Sequence, residues 1–384
     1  MSIFVLVVAV ALALLSLLLY RRLAVAPRWP DAVRRGVALT LALGWVALLL
    51  AFAMQSGVID PRPARWVAWA GMTWLALAWY LLLGSVVLGI GALALRRAHR
   101  PQARLRLLRF GTPVVVVAAL ATTGYGVSEA ATPSVNVAML TSPRVPEGLD
   151  RLRIALVTDL HVGPVRDRAF TQSVVDRVNE AHPDIVLLGG DLVDGKVEQV
   201  ADAIAPIAGL EAPLGVYAVS GNHEFISGEA DAWMRQWETL GVTVLRNRGT
   251  VVARDGSELH LAGVNDLTAT GADATDVDAA LAGTTADDFT ILLAHQPLTA
   301  ERVQGRGVDL QLSGHTHGGQ LWPFRYFVPL QQPMVDGAGL VGDVPVFTSR
   351  GAGAWGPPER VLAPPEIPVI TLRNGERQVL ERLD

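Results

Sequence analysis

The chain has 384 residues, of which 51% are hydrophobic, with a mean hydropathy of +0.35 and no cysteine. This length is enough for two domains, the hydropathy predicts a membrane part, and the lack of cysteine excludes disulfides, cysteine nucleophiles and Cys-ligated zinc. Residues 1–132 carry 13 Lys and Arg against 3 Asp and Glu, whereas the remainder carries 19 against 33, so we expect no nucleic-acid partner for the acidic part.

Four apolar stretches in the first part of the chain are candidates for membrane-spanning helices. They are residues 3–19, 36–54, 67–95 and 113–131. Each is close to the roughly 20 residues that a span requires, although the first is slightly short and the fourth is less apolar. We therefore expect residues 1–131 to form an all-α membrane bundle of about four transmembrane helices. The alternatives are a cleaved signal peptide for the first stretch and an interfacial or re-entrant helix for the fourth.

The arginines between these stretches predict an orientation. Five lie between the first and second stretches and six between the third and fourth, but only Arg62 and Arg65 lie between the second and third. Short arginine-rich loops remain in the cytoplasm. The N-terminus would then start outside, and the fourth span would carry the rest of the chain outside. A re-entrant fourth helix would instead leave that part in the cytoplasm.

Residues 132–150 are proline-rich and predict an extended linker, after which strands and helices alternate. Predicted strands at 152–158, 184–188 and 216–220 alternate with predicted helices at 169–181, 197–210 and 231–240. Short strand-like runs follow at 243–245, 250–253, 259–264, 290–294, 309–312, 344–348 and 367–372. We expect residues 151–384 to be an α/β domain with two packed sheets flanked by helices.

Polar residues of the kind that bind metals follow five of these predicted strands. Because sites in α/β sheets form beyond the carboxyl ends of strands, we expect these residues to meet. We also expect Asp-X-His and His-X-His to be extended two-residue steps that place both side chains on one side. The nitrogen and oxygen donors suit Mn, Fe or Zn. The residues are Asp159, His161, Asp191, Asp194, Asn222, His223, His295, His315 and His317.

This ordered series resembles the calcineurin-like metallophosphoesterase superfamily over residues 152–348. The matching pieces are Asp159-X-His161, Gly190-Asp191-X-X-Asp194, Gly221-Asn222-His223-Glu224, His295 and Gly314-His315-X-His317. Each piece alone is a weak signal, but all five in order at strand ends are a strong one. The tail at 349–367 is similar to the bacterial branch of membrane-tethered or exported phosphodiesterases. The expected fold is therefore a two-sheet αββα sandwich metallophosphoesterase domain after the helical bundle.

The resemblance implies a binuclear metal centre with two divalent ions, Mn, Fe or Zn. A metal-activated hydroxide would attack phosphorus in line, and His223 would stabilise charge or protonate the leaving group. The positive charge of the ions would offset the acidity of the domain. The first ion would be held by Asp159, His161, Asp191 and His317, and the second by Asp191, Asn222, His295 and His315.

Other polar residues have more than one interpretation. Asp194 either orients a metal ligand or caps a helix. Asp266 either faces the site or stabilises a turn, and the turn is the favoured interpretation. Arg350 and Arg360 either bind phosphate or form surface salt bridges. The remaining histidines of the domain, His182 and His260, are expected to be structural.

An aromatic run at residues 321–328 directly follows the segment 314–320. Such a run either packs as ordinary core or loop, forms a groove for an apolar leaving group, or touches the bilayer.

These observations predict a phosphoesterase, and more specifically a phosphodiesterase acting at the membrane surface. Similar membrane-associated members of the superfamily hydrolyse the pyrophosphate of UDP-diacylglucosamine, so the resemblance implies this activity as one alternative, which requires a cytoplasmic domain. The other alternative is a non-catalytic metal-binding sensor, which is expected to have lost ligands. The expected partners are a phosphoester substrate, lipid-linked ones included, and the membrane, with no protein partner predicted. The expected location is the cell membrane, multi-pass, with the catalytic domain outside the cytoplasm.

Overall fold

The computed structural model describes residues 3–383, and the side chains of residues 9–383. The chain divides into two compact units. The first comprises Met1–Ser128 with Gly356–Glu359, and the second comprises Glu129–Trp355 with Arg360–Asp384.

The first unit is built from long apolar helices. Its helices are α1 Ile3–Tyr20, α2 Asp31–Gln55, α3 Arg65–Arg97 and α4 Pro101–Glu129. Among the described residues, three segments are long and apolar enough to cross a membrane, namely Asp31–Gln55, Arg62–Arg97 and Pro101–Glu129. About four spans are expected from the sequence, and the structure supports three of them. The predicted span at 3–19 coincides with α1, but part of it lies outside the residues whose side chains the structure describes.

Small residues allow α2 and α3 to pack closely. A Cβ atom added to Gly71 of α3 would lie 2.3 Å from the Ala47 carbonyl oxygen of α2, so the two backbones approach each other there. Gly44 of α2 leaves the space that the Trp74 indole fills. Close approach at small residues is how helices gain van der Waals contact where no water drives them together.

The second unit contains two sheets with helices on their outer faces. Its helices are α5 Arg168–Glu180, α6 Val197–Ile204, α7 Asn222–Ile226, α8 Ala230–Thr239 and α9 Val277–Ala280. Its first strands are β1 Ser134–Ser142, β2 Arg153–Val157, β3 Ile185–Leu188, β4 Val216–Ala218, β5 Thr243–Val244, β6 Arg248–Arg254 and β7 Ser257–Gly263. The remaining strands are β8 Phe289–Leu293, β9 Leu310–Ser313, β10 Gly337–Val341, β11 Val344–Thr348, β12 Glu366–Asn374 and β13 Val379–Arg382.

The strand order gives a seven-stranded sheet, β13-β1-β12-β2-β3-β4-β5, and a six-stranded sheet, β10-β11-β9-β8-β7-β6. Strands β2 to β5 run parallel to one another, as do β7, β8 and β9. The predicted two-sheet α/β sandwich is confirmed. The helix predicted at 197–210 is shorter than expected, because α6 ends at Ile204 and a 3-10 turn containing Pro206 follows.

Alternation along the strands places apolar side chains on both faces of the first sheet. In β2, Ile154 and Leu156 join the core between the sheets, whereas Ala155 and Val157 join the core beneath α5, α6 and α8. A third apolar cluster covers the outer face of the second sheet, where Leu292 of β8 is buried. Because both faces of each sheet are buried, these strands are continuous apolar runs in the sequence.

The segment predicted to be a linker, 132–150, instead contains strand β1 of the seven-stranded sheet. β1 pairs in parallel with β12 along its whole length, from Ser134 with Glu366 to Ser142 with Asn374, and pairs antiparallel with β13 on its other side. The prolines that suggested a linker, Pro133 and Pro143, stand immediately before and after the strand. Proline is tolerated at those positions because the missing N–H is not needed for the ladder.

Candidate metal centre

Five segments that follow strands converge on one cluster of buried ligands. They follow β2, β3, β4, β8 and β9, whose carboxyl ends meet because the strands are parallel within each sheet. Three sets of three ligand atoms lie within 4.8 Å of one another. The sets are Asp159, His161 and His317; Asp191, His295 and His315; and His161, Asp194 and His223.

The backbone reaches this cluster through left-handed conformations, not through extended steps. The expected extended geometry of Asp-X-His and His-X-His is wrong, because both members of each pair have positive φ. Left-handed backbone is costly for residues that carry a Cβ, and such residues gather at functional sites. The φ values are 56° for Asp159, 47° for His161, 52° for Asp191, 71° for His315 and 52° for His317.

The first group consists of Asp159, His161 and His317, and each of its histidine rings is oriented by a hydrogen bond at Nδ1. His161 Nδ1 lies 3.2 Å from Asp194 Oδ1, so this nitrogen carries a proton and the lone pair on Nε2 faces inward. His317 Nε2 lies 3.1 Å from His161 Nε2 and 3.5 Å from Asp159 Oδ1. His161 Nε2 is also 3.8 Å from Asp191 Oδ2, which brings Asp191 to the edge of this group.

The second group consists of Asp191, His295 and His315, and here too a hydrogen bond on the far side of the ring orients His295. Its Nδ1 donates to the Gly189 carbonyl oxygen at 2.8 Å, so its Nε2 faces Asp191 Oδ2 at 3.2 Å and His315 Nδ1 at 3.3 Å. Burial lowers the pKa of His295, but the adjacent charge of Asp191 outweighs it and raises this pKa well above its ordinary value. The surroundings of this ring therefore favour a positive charge, which a proton or a metal ion can supply.

The donor set is of the kind that holds divalent metal ions. Asn222 follows β4, and its Oδ1 is buried without a hydrogen-bond partner, which is expensive for an amide oxygen unless it has a ligand. Asp191 reaches both groups, as a shared ligand must. Burial and the charge of Arg360 hold the pKa of His317 well below its ordinary value, so the ring stays neutral, as metal binding requires.

His223 belongs to the third set, with Asp194 and His161, and to neither of the two groups described above. Its Nδ1 lies 2.6 Å from Asp194 Oδ1, and its backbone N–H donates to Asp191 Oδ1 at 2.8 Å. Burial lowers the pKa of His223, but the charges of Asp191 and Asp194 reverse this and raise it to about 9. Because Nδ1 is bound to Asp194, Nε2 is the ring nitrogen left to meet a substrate.

The structure shows what the remaining candidates contact. Asp194 binds both His161 and His223, so it orients these rings, and the first N–H group of α6, that of Val197, donates instead to Glu229 Oε2 at 2.8 Å. Asp266 accepts hydrogen bonds from Thr268 in a turn and from Gln296, and it also lies near enough to His295 for its charge to act on that ring.

Both arginine side chains have partners inside the domain. The Arg350 side chain is paired with Glu366 and lies 3.8 Å from Asp336. The Arg360 side chain is fully buried and donates to the backbone oxygens of Gly353, His317 and Ala363 and to His317 Nδ1. The surface interpretation is therefore wrong for Arg360, because the guanidinium serves backbone acceptors inside the domain.

One residue of the series received no role from the sequence. The buried Glu224 carboxylate accepts hydrogen bonds from the backbone N–H groups of Gly221, Asp191 and Leu192 at 2.7, 3.1 and 2.9 Å. It thereby ties the turn after β3 to the turn after β4. Burial and the charge of Asp191 raise the pKa of Glu224 to about 7. Its place three residues after Gly221, typical of a capping box, is a signal that sequence analysis could have used.

Comparison with known proteins agrees with this geometry. Residues 152–319 match the model of the family described as calcineurin-like phosphoesterase. The chain is 34% identical over 272 residues to a zebrafish (Danio rerio) protein named "Transmembrane protein with metallophosphoesterase domain", a match that covers 68% of this chain and 62% of that protein. The three apolar segments and this relative indicate a membrane protein.

Two bacterial relatives have the same type of domain. An uncharacterized metallophosphoesterase of Helicobacter pylori strain J99 is 39% identical, covering 60% of this chain and 62% of that protein. An uncharacterized metallophosphoesterase of Bacillus subtilis is 32% identical, covering 61% of this chain and 84% of that protein. The chain thus spans only 62% of the length of the zebrafish and Helicobacter relatives. The match to most of the Bacillus protein, together with the family model, shows that the chain belongs to the calcineurin-like phosphoesterase family.

Proposed function

We propose that this chain is a metal-dependent phosphodiesterase that uses two divalent ions at a membrane surface. The observation that carries the proposal is the convergence of five strand ends on buried carboxylate, imidazole and amide donors. The ligands of the first ion would be Asp159, His161, Asp191 and His317, and those of the second would be Asp191, Asn222, His295 and His315. When bound, such ions supply an activated water and positive charge for the phosphoryl oxygens.

The residues around the ligands would position the reacting groups. Asp194 holds the Nδ1 atoms of His161 and His223, so it fixes both rings with Nε2 directed away from it. His223 would donate a proton from Nε2 to the oxygen of the leaving group. Glu224 would keep the turns that carry Asp191 and Asn222 at a constant separation, through its bonds to backbone N–H groups.

A diester is the better substrate for an acidic domain. Residues from Pro133 onward carry 33 acidic against 19 basic residues, and a phosphodiester brings one negative charge where a monoester brings up to two. The apolar helices support action at a membrane, and the arginine-rich loops support a domain outside the cytoplasm. No observation favours the pyrophosphate hydrolase, and the presence of every expected ligand opposes a degenerate sensor.

The test uses the full chain, purified in detergent and supplied with Mn²⁺. We expect metal-dependent hydrolysis of a bis-aryl phosphodiester, faster than that of the matching aryl phosphomonoester. Asp191→Asn should abolish turnover and lower the number of bound ions, because Asp191 is the shared ligand. His223→Ala should keep both ions and lower kcat by roughly 10² to 10⁴, the usual contribution of a general acid.

His260→Ala is the matched control, since His260 lies within β7 beside Asp288 and outside the cluster. This variant should retain activity close to that of the unchanged chain. A chain that binds no metal and turns over neither substrate would contradict the enzyme. A faster reaction with the monoester would contradict the diester preference alone.

A further inference from the structure

The exposed aromatic side chains of the second unit are concentrated in one place. Within the described residues of that unit, every large aromatic side chain that is strongly exposed lies in the run after the last ligand or at residue 355. With the neighbouring Leu330, which is 80% exposed, they form a surface that we call the aromatic rim. The aromatic rim comprises Trp322, Phe324, Tyr326, Phe327, Leu330 and Trp355.

The aromatic rim adjoins the candidate metal centre. The Trp355 ring lies 5.8 Å from the His223 ring in an edge-on arrangement. Gln320 exchanges two hydrogen bonds with the backbone of Trp355, and so joins the two parts of the rim. Gly319 packs so closely on Arg325 that an added Cβ would lie 2.3 Å from the Arg325 Cα. The rim therefore begins where the ligand segment ends.

Charge distinguishes the rim from the rest of the domain. Residues 315–335 contain no Asp or Glu, although acidic residues outnumber basic ones by 33 to 19 from Pro133 onward. Arg325 stands in the middle of the run, with its side chain 40% exposed and 3.3 Å from Asp336, the next acid along the chain. An apolar surface without net negative charge can approach anionic lipid headgroups that would repel the remainder of the domain.

The chain tethers the second unit to the apolar helices. The helical stretch of the first unit ends at Ser128, and the second unit begins at the next residue, Glu129. The first unit contains three segments long and apolar enough to cross a membrane. Tryptophan and tyrosine are the residues that favour the boundary between lipid and water, since each joins an apolar ring to a polar group.

We propose that the aromatic rim lies in the lipid–water interface of the membrane, and that the site takes its phosphoester from a lipid headgroup. The lipid substrate rests on the proposed function, whereas the contact of the rim with the membrane does not. A lipid held in this way would keep its acyl chains in the bilayer while its phosphoester reaches His223.

The membrane contact can be measured without activity, because the chain has no cysteine. A single cysteine at Tyr326, labelled with an environment-sensitive nitrobenzoxadiazole dye, reports on its surroundings in vesicles of phosphatidylcholine and phosphatidylglycerol that contain the full chain. We expect emission at shorter wavelength and at least about twofold quenching by spin-labelled lipid. Val251→Cys is the matched control, because Val251 is an exposed apolar residue on the edge strand β6.

Equal responses at the two positions, or no quenching at Tyr326, would overturn the membrane contact. Quenching that depends on the amount of protein per vesicle and not on spin-labelled lipid would also overturn it, and would indicate contact between copies of the chain.

The substrate class is tested with the double variant Tyr326→Ser/Phe327→Ser in the same vesicles. We expect hydrolysis of a long-chain phospholipid to fall roughly tenfold or more, from the loss of two aromatic contacts with lipid. Hydrolysis of the soluble bis-aryl diester should not change, which also shows that the variant folds. Val251→Ser should leave both activities unchanged.

Equal losses on the two substrates would overturn the lipid substrate, as would no loss on either. If the unchanged chain hydrolyses neither substrate, the proposed function fails, and the fluorescence measurement still decides whether the rim contacts lipid.

Discussion

At the scale of single residues, the hydrogen-bond partners of the candidate metal ligands matter as much as the ligands themselves. Asp194 binds two histidine rings, Gly189 binds His295 through its carbonyl oxygen, and Arg360 binds His317. The acceptors Asp194 and Gly189 place the proton on Nδ1 of His161 and His295, so Nε2 can face a metal ion, whereas Arg360 is a donor and makes His317 Nδ1 an acceptor. The motif letters alone contain no information on these tautomers.

Arg360 offers a test of this kind of role. Arg360→Met should lower the free energy of unfolding by about 3–5 kcal/mol, because several buried backbone oxygens would lose a charged donor. It should also weaken metal binding, because His317 loses a partner that holds its ring. Denaturant unfolding of the metal-free protein and titration with Mn²⁺ measure the two effects separately.

The control is Arg235→Met, since the Arg235 side chain is 62% exposed and is paired with Asp231 on the surface. This change should cost less than about 1 kcal/mol, as is usual for exposed ion pairs. If Arg360→Met were equally mild, the buried role assigned to Arg360 would be incorrect.

At the scale of elements, the position of β1 in the sheet is the main departure from expectation. This strand stands between β12 and β13, so the segment before residue 150 is a structural part of the domain and not a spacer. Without β1, both of its neighbours would present unpaired backbone groups, which is unfavourable for stability and promotes aggregation.

Truncation tests the contribution of β1. A fragment of residues 129–384 should fold cooperatively, whereas a fragment of residues 151–384 should be unfolded or aggregated. The expected loss is on the order of 5 kcal/mol or more, comparable with the whole stability of many domains. Circular dichroism during thermal unfolding and size-exclusion chromatography measure the difference. Similar unfolding transitions for both fragments would show that β1 is dispensable.

At the scale of the whole molecule, the distribution of charge leads to a prediction about topology. The first 132 residues carry 13 basic against 3 acidic residues, and most of the basic ones lie at or between the facing ends of α1 and α2 and of α3 and α4, which are expected to be cytoplasmic. A cysteine at Val251 in the second unit should therefore react with a membrane-impermeant maleimide added to intact cells. A cysteine at Arg100, between α3 and α4, should react only after the membrane is permeabilised.

The reverse labelling pattern would place the catalytic domain in the cytoplasm and revive the interpretation of the fourth apolar stretch as re-entrant. It would also restore the cytoplasmic nucleotide-linked substrate as a candidate. The labelling depends only on accessibility, so it is independent of whether the chain is an active enzyme.

The sequence by itself determined the features that depend on local pattern. Apolar runs of sufficient length identified three long helices, and alternation of strand and helix patterns identified the sandwich, because these periods follow from backbone geometry. The order of the Asp, Asn and His segments at strand ends identified the residues that meet, since parallel strands bring their carboxyl ends to one edge.

Only the tertiary structure decided how these residues meet. Asp159, His161 and Asp191 have positive φ angles, and hydrogen bonds between turns hold them there, from Asp159 N–H to the Gly190 carbonyl oxygen and from His161 N–H to the Asp191 carbonyl oxygen. The pairing of β1 with β12 joins segments more than 200 residues apart, and the burial of Arg360 depends on acceptors from several loops. Such contacts lie outside any sequence window, because their energy exists only when distant parts of the chain are already packed together.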